Sequence, residues 1–205
     1  MTLAIVTAWR DHPELRDDYF AAVEAAQPDQ LVIVDDGSDP PLDFAALRLD
    51  PSGFCTANNA GLELVECDLT LMLNNDVAML RPDWLDEIRE LVEPGVLVGP
   101  LRFDEHGNVD GEPYPYADGW CLCGLTEDLR RLGGWDASYD QAGPAYYSDN
   151  AFSFHARMNG FTLREVRPGL HHKGGQTGGV DRELFEKVLA ANGALFADQV
   201  RAASR

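Results

Sequence analysis

The sequence predicts an α/β fold, a mostly parallel sheet with helices on both faces. Three observations carry this. Short apolar runs at Leu3–Thr7, Leu31–Val34 and Leu69–Leu73 have the length and composition of buried strands. Between them lie stretches whose apolar residues recur at helical spacing. The second and third runs stop abruptly in acidic and amide side chains, as expected at the carboxyl edge of an open sheet, where such folds bind ligands.

Taken in order, LAIVT is a central strand. Asp11 and Pro13 open a helical stretch with Leu15, Tyr19, Ala22, Val23 and Ala26 on one stripe, and Pro28 ends it. Leu31–Val34 is the next strand. Strand, helix and strand at this length make a βαβ unit, which crosses over right-handed. Asp35-Asp36-Gly37-Ser38-Asp39 follows at once, and Asp39-Pro40-Pro41 begins a loop. Residues 54–65 pass from loop into helix, with Asn58 and Asn59 near its start, either as caps or as amides presented to a phosphate. After Leu69–Leu73 come Asn74, Asn75 and Asp76, with no glycine or proline among them. Pro82 starts a helix with Trp84, Leu85, Ile88, Leu91 and Val92 on its buried face. Val96–Leu101 returns as a strand, completing a β-α-β-α-β-α-β order like the first half of a doubly wound sheet.

The second half changes character. His106-Gly107-Asn108 reads as a hairpin-like turn, and Glu112–Gly119, rich in tyrosine, proline and aspartate, as a loop. Trp120–Leu125 is a strand, and Thr126 caps a short helix that breaks at Gly133-Gly134. An aromatic loop from Asp140 to Tyr147 leads to a helix capped by Ser148 or Asp149 and closed by Gly160. Phe161–Val166 is the last strand. From His171 to Gly179 glycine is too frequent for regular structure. The tail from Asp181 has Leu184, Phe185, Val188 and Leu189 at helical spacing, interrupted at Gly193. No repeat or linker divides the 205 residues, so one domain is expected: a first half over 1–101, a second over 102–180 and a helical tail over 181–205.

Composition bounds the partners. Thirty-five acidic residues against sixteen basic ones leave a net charge of -19. A surface this acidic repels phosphate backbones and anionic lipid, so nucleic acid is a poor partner unless basic residues cluster locally. An anionic nucleotide is still admissible, because a cation and helix N-termini can neutralise a diphosphate locally. No run is long and apolar enough for a membrane span, and the first residues lack the pattern of a signal peptide. Cys55, Cys67, Cys121 and Cys123 read as reduced, mostly buried thiols, which suggests the cytoplasm.

The chemistry centres on Leu69–Val77, LTLMLNNDV. A carboxylate and two amides at a sheet's carboxyl edge suit a hard divalent cation, with a nucleotide diphosphate completing its shell. A polar turn after a core strand would look the same. The paired carboxylates Asp35 and Asp36 could bond a nucleobase edge and a ribose hydroxyl, or form an Asx-turn. On these residues the chain reads as a nucleotide-sugar transferase with its metal at Asp76.

The segments IVTAWR, VIVDDGSD, TANNAGLE, LMLNNDV, VGPLRFDEHGNVDG, LRRLGGWD, YYSDNAFSFHARMNGF and HHKGG, in that order, resemble the family-2 glycosyltransferases of the GT-A fold, the short bacterial and phage type related to rhamnosyltransferases. The match runs from about Leu3 to Thr177 and implies a Rossmann-like sheet. It implies that Thr7, Asp35 and Asp36 hold the donor's base and ribose, and that Asn59 lines the donor pocket. Asn74, Asn75 and Asp76 stand at the family's DxD motif, with asparagine for its first acid and Asp76 as the direct metal ligand. Asp149 matches the catalytic base. Two departures accompany it: Ser148 replaces the glutamate before it, and Ala151 replaces the acid two residues later. His171 or His172 resembles the late histidine of the metal shell; His172 is preferred, with the register open.

The implied reaction is inverting transfer of a sugar from a nucleotide-diphosphate donor, UDP-sugar by default, to a hydroxyl acceptor, with Mn2+ or Mg2+ as cofactor. Asp149 takes the acceptor's proton. A histidine ligand favours manganese. Trp120, Asp136 and Tyr147 are the acceptor candidates, and the acceptor could be a glycan, a protein, a small molecule or a modified base. Two alternatives stand beside this reading: a non-catalytic nucleotide-sugar binder, and a nucleotidyltransferase. The latter would carry a glycine-rich basic loop near the N-terminus, which TAWRDHPE lacks.

Overall fold

The computed structural model describes residues 1–174 and 182–204. Its strands are β1 (Leu3–Trp9), β2 (Gln30–Asp36), β3 (Leu47–Leu49), β4 (Leu69–Leu73), β5 (Val77–Met79), β6 (Val96–Gly99), β7 (Leu101–Arg102), β8 (Asn108–Val109), β9 (Glu112–Pro113), β10 (Tyr116–Ala117), β11 (Cys121–Leu125), β12 (Thr162–Glu165) and β13 (Leu170–His172). The α-helices are α1 (Arg16–Ala26), α2 (Phe54–Glu63), α3 (Asp86–Leu91), α4 (Thr126–Arg131), α5 (Ser148–Met158) and α6 (Arg182–Ala203).

Seven strands form the central sheet in the order β12-β6-β11-β4-β1-β2-β3. β1 pairs parallel with β2 and β4, β2 with β3, and β6 with β12, while β11 runs antiparallel between β4 and β6. The sheet is therefore mostly parallel. β1 shows why its strands read as unbroken apolar runs: Leu3, Ile5 and Trp9 enter one core layer, Ala4 and Val6 the other. On the first side lie Tyr19, Ala22 and Val23 of α1 and Ile88 of α3. On the second lie Leu62 of α2, Phe152 of α5 and Phe196 of α6.

Several expectations need correction. β6 does not sit next to β4; the later strand β11 wedges between them. Strand direction depends on long-range pairing, which no local pattern encodes. The helix expected from Pro82 begins at Asp86, with Trp84 and Leu85 buried in the turn before it. The turn of the β8–β9 hairpin is Asp110-Gly111, both at positive φ, whereas Glu105–Gly107 is a 3₁₀ turn capped by Asp104. Residues 112–119, expected to be loop, include β9 and β10. Tyr147, not Ser148 or Asp149, is the N-cap residue of α5. His171 and His172 lie in β13, which pairs antiparallel with β5. Backbone pairing there overrides the glycines that follow, of which Gly175 to Gly179 lie outside the described residues. α6 runs unbroken through Gly193, because tertiary packing tolerates one glycine in a long helix.

Candidate active site

Because β11 alone is reversed, its N-terminal end meets the carboxyl ends of the other sheet strands at one edge. A cleft of about 970 Å³ opens there. It is lined by the chain leaving β1 (Ala8–His12), by Asp36, and by Asn74 and Asp76 after β4. Asp118 to Trp120, before β11, and Tyr146 to Asn150, at the start of α5, face it from the second half of the chain, with His172 of β13.

Asp76 is 2% exposed, and its Oδ1 has no hydrogen-bond partner among the described residues. The Nε2 of His172 lies 3.1 Å from that oxygen, without hydrogen-bond geometry. The β5–β13 ribbon causes this approach. It sets His172 opposite Val77, and Lys173 N–H donates to the Asp76 carbonyl at 2.8 Å. His171, one residue away in a period of two, is exposed. Two ligands at right angles on one ion, with bonds near 2.1 Å, sit roughly 3 Å apart. The pair thus fits two positions of a hard cation's shell. Among the described residues no group of three or more such side chains gathers. Trp120 stacks on the His172 ring, with centroids 4.9 Å apart and planes inclined 11°.

Across the cleft Asp149 opens α5. Its Oδ1 accepts from the Asn150 N–H at 3.0 Å, and its Oδ2 weakly from the Gly119 N–H at 3.4 Å. Burial, with the nearby Asp118 carboxylate, pushes its pKa up to about 7. The backbone N–H groups around the start of α5, which favour the ionised form, are outweighed. Asp118 is itself held by Arg102 at 2.8 Å. Tyr116 donates to Asp104 at 3.1 Å, beside the same cleft wall.

The other predicted residues fall in two groups. Asp36 lines the cleft, but its carboxylate accepts from the Ser52 N–H and hydroxyl and the Gly53 N–H. Asn74 and Tyr147 also line it. Thr7, Asp35, Asn59, Asn75 and Asp136 do not. Thr7 is buried, with its hydroxyl 2.5 Å from that of Tyr19. Burial would raise the Asp35 carboxyl, but Ser38, the Leu42 N–H and Arg48 together hold it below the usual carboxylate range. Asn59 clamps the Trp135 backbone, accepting from its N–H and donating to its carbonyl, both at 2.8 Å. A Cβ at Gly134 (φ 68°) would lie 2.3 Å from that amide's oxygen, whereas Gly133 meets no neighbour and is favoured by its φ of 83° alone. Asn75 is buried, and its Nδ2 lacks a partner among the described residues. Asp136 caps the 3₁₀ turn Ala137–Asp140 and accepts from Gln199 at 2.9 Å.

Sequence reasoning missed Asp104, Asp118 and Arg102, which the fold brings to the cleft, and Asp140. Asp140 accepts from the Cys55 and Thr56 N–H groups at 3.0 and 2.9 Å, so it caps α2 from far along the chain. Nothing local marks the three aspartates among thirty-five acidic residues, or Arg102 among sixteen basic ones.

No protein-family model matches this chain, and no curated protein matches it in sequence. Its structure is similar to a mannosyltransferase of Pyrobaculum calidifontis, solved with GDP-Man and Mn2+: 13% identity, 98% of this chain and 73% of that one, TM-score 0.61. The catalytic domain of a Drosophila β1,4-galactosyltransferase 7, in complex with xylobiose, aligns at 15% identity over 91% of this chain and 79% of that one, TM-score 0.59. A nucleotidyl transferase of Methanothermobacter aligns at 14% identity over 82% and 87%, TM-score 0.55. These likenesses speak to architecture, and this chain has the α/β fold of the GT-A transferases.

Proposed function

We infer that this protein is a metal-dependent glycosyltransferase that moves a sugar from a nucleotide-diphosphate donor to a hydroxyl acceptor with inversion. One observation carries the reading. The Asp76–His172 pair and a carboxylate with its pKa near neutrality line the same cleft at a sheet's carboxyl edge. The structural neighbours are consistent with it, since two of the three described are glycosyltransferases.

Asp76 and His172 would hold a divalent ion, which when bound supplies Lewis-acid stabilisation of the leaving diphosphate. Asp149 supplies the base. An acceptor hydroxyl gives its proton to the Asp149 carboxylate as its oxygen bonds the anomeric carbon. The bond from that carbon to the diphosphate breaks, and the nucleoside diphosphate leaves with the electron pair. A base with pKa near 7 is half ionised at neutral pH and strong enough to help, unlike an ordinary aspartate. Trp120 keeps the His172 ring in place, and Tyr147 is offered to the acceptor. UDP is the first donor nucleotide to test.

The nucleotidyl transferase neighbour makes a second reading concrete. Against it, the segment Arg10-Asp11-His12 that enters the cleft after β1 contains no glycine and a single arginine, a poor cradle for a triphosphate. Titration calorimetry with UDP, GDP and dTDP, with and without Mn2+, followed by mass spectrometry of an acceptor screen, separates the readings. Manganese-dependent binding of one diphosphate with sugar transfer supports ours. Binding without transfer to any acceptor supports a non-catalytic binder, and pyrophosphate release from a nucleoside triphosphate supports nucleotidyl transfer.

A further inference from the structure

The C-terminal helix α6 follows the second half of the chain in sequence, yet it packs behind the turn that leads into Asp149. Asn192 is 2% exposed, and its Nδ2 donates twice: to the Tyr139 carbonyl at 3.1 Å and to the Tyr146 carbonyl at 2.9 Å. A single amide thereby ties the 3₁₀ turn Ala137–Asp140 to the residue that precedes the cap of α5. The next residue, Gly193, stands against Tyr147. A Cβ there would lie 3.2 Å from the Tyr147 Cζ and Oη. Glycine is a poor helix former, and this one sits inside a helix of 22 residues, so the space it leaves for the ring is its physical justification.

Tyr147 needs holding. Its φ of 69° and ψ of -2° lie in the left-handed region, which a bulky side chain adopts only when its surroundings impose it. His106 meets its ring edge-on at 5.7 Å, and Phe196 of α6 lies against it at 6.1 Å. The Tyr147 carbonyl accepts the Ala151 N–H at 3.0 Å and so starts α5. Asp149 is two residues on, its direction into the cleft set by where this cap is placed.

We propose that Asn192 and Gly193 are positioning residues: through the Tyr146–Tyr147 turn they set the carboxylate of Asp149 against the acceptor hydroxyl. This rests on the glycosyl-transfer reading above. It differs from a merely structural role because the two need not move together.

The test is Gly193→Ala in the full chain, beside the wild type, Asp149→Asn and Asn192→Ala. Alanine favours the helix, which offsets the displacement of a few tenths of an ångström that its Cβ imposes on the Tyr147 ring, so the Tm of Gly193→Ala is expected near wild type. The expected result is a kcat at least tenfold lower, with UDP affinity in the presence of Mn2+ within twofold of wild type. Asn192→Ala should show the same split with a lower Tm. If Gly193→Ala turns over at the wild-type rate while Asp149→Asn is inactive, the positioning role is overturned. If its kcat falls only together with Tm and donor affinity, the role is structural and the proposal also fails. A wild type that transfers no sugar would instead remove the reading on which it rests.

Discussion

Asp149 shows how one side chain couples chemistry to stability. Its carboxyl titrates near 7 in the folded protein and near the ordinary aspartate value when unfolded, so the folded state binds the proton more tightly. The stability this gives is complete below about pH 4 and is lost as pH rises through about 7. At pH 8 the native state carries a partly buried charge, at a cost on the order of 1–3 kcal/mol after discounting for its contact with the cleft. Asp149→Asn should therefore melt a few degrees above wild type at pH 8, and the gain should shrink toward pH 5; calorimetric melts at both values check this. The same variant should lose about 10²–10⁴-fold in kcat while binding donor normally. In the wild type, kcat/KM should fall tenfold per pH unit below about 7. At the other wall, His172→Ala or Asp76→Ala should abolish the manganese dependence of UDP binding, and excess chelator should do the same to wild type. Calorimetric affinities for UDP that respond equally to Mn2+ in all three proteins would refute the assignment.

At the scale of elements, the cleft is held by contacts between segments distant in sequence. α2 has a glycine N-cap and no side-chain cap of its own, and the Asp140 carboxylate supplies one across 84 residues. Asp140→Ala should cost about 0.5–2 kcal/mol, the usual worth of an N-cap, and lower Tm by a few degrees in a thermal melt. An unchanged Tm would mean that water replaces the carboxylate at no cost. The β5–β13 ribbon is the second such device. The apolar run Leu69–Leu73 and the acidic edge after it were legible in the sequence, because burial on both faces of a parallel strand leaves a continuous hydrophobic signal. The ribbon was not. β5 and β13 have three residues each, too short for a period to declare itself, and their pairing spans about ninety residues. Yet that register is what distinguishes His172, beside Asp76, from exposed His171.

For the whole molecule, charge is the dominant quantity. With a net charge of -19, the protein repels an anionic nucleotide sugar at distance, even if the cleft binds it at contact. Screening shortens from about 30 Å at 0.01 M salt to about 8 Å at 0.15 M. Donor KM at saturating Mn2+ should therefore fall as salt rises over that range. A KM that climbs steadily would show that local attraction outweighs the global field. Among the described residues no helix is long and apolar enough to cross a membrane.

Periodicity and composition by themselves determined the α/β class, the order of the principal strands and helices, and the acidic character of the sheet edge. These are local properties, repeated every two or 3.6 residues, and the side chains declare them. Only the tertiary structure decided that β11 runs backwards between β4 and β6, that Asp118 and Arg102 join Asp149, and that α6 props the turn before it. Each of these depends on which distant backbone pairs with which. That choice is made by burial and hydrogen bonding summed over the whole chain, and no single stretch of sequence contains it.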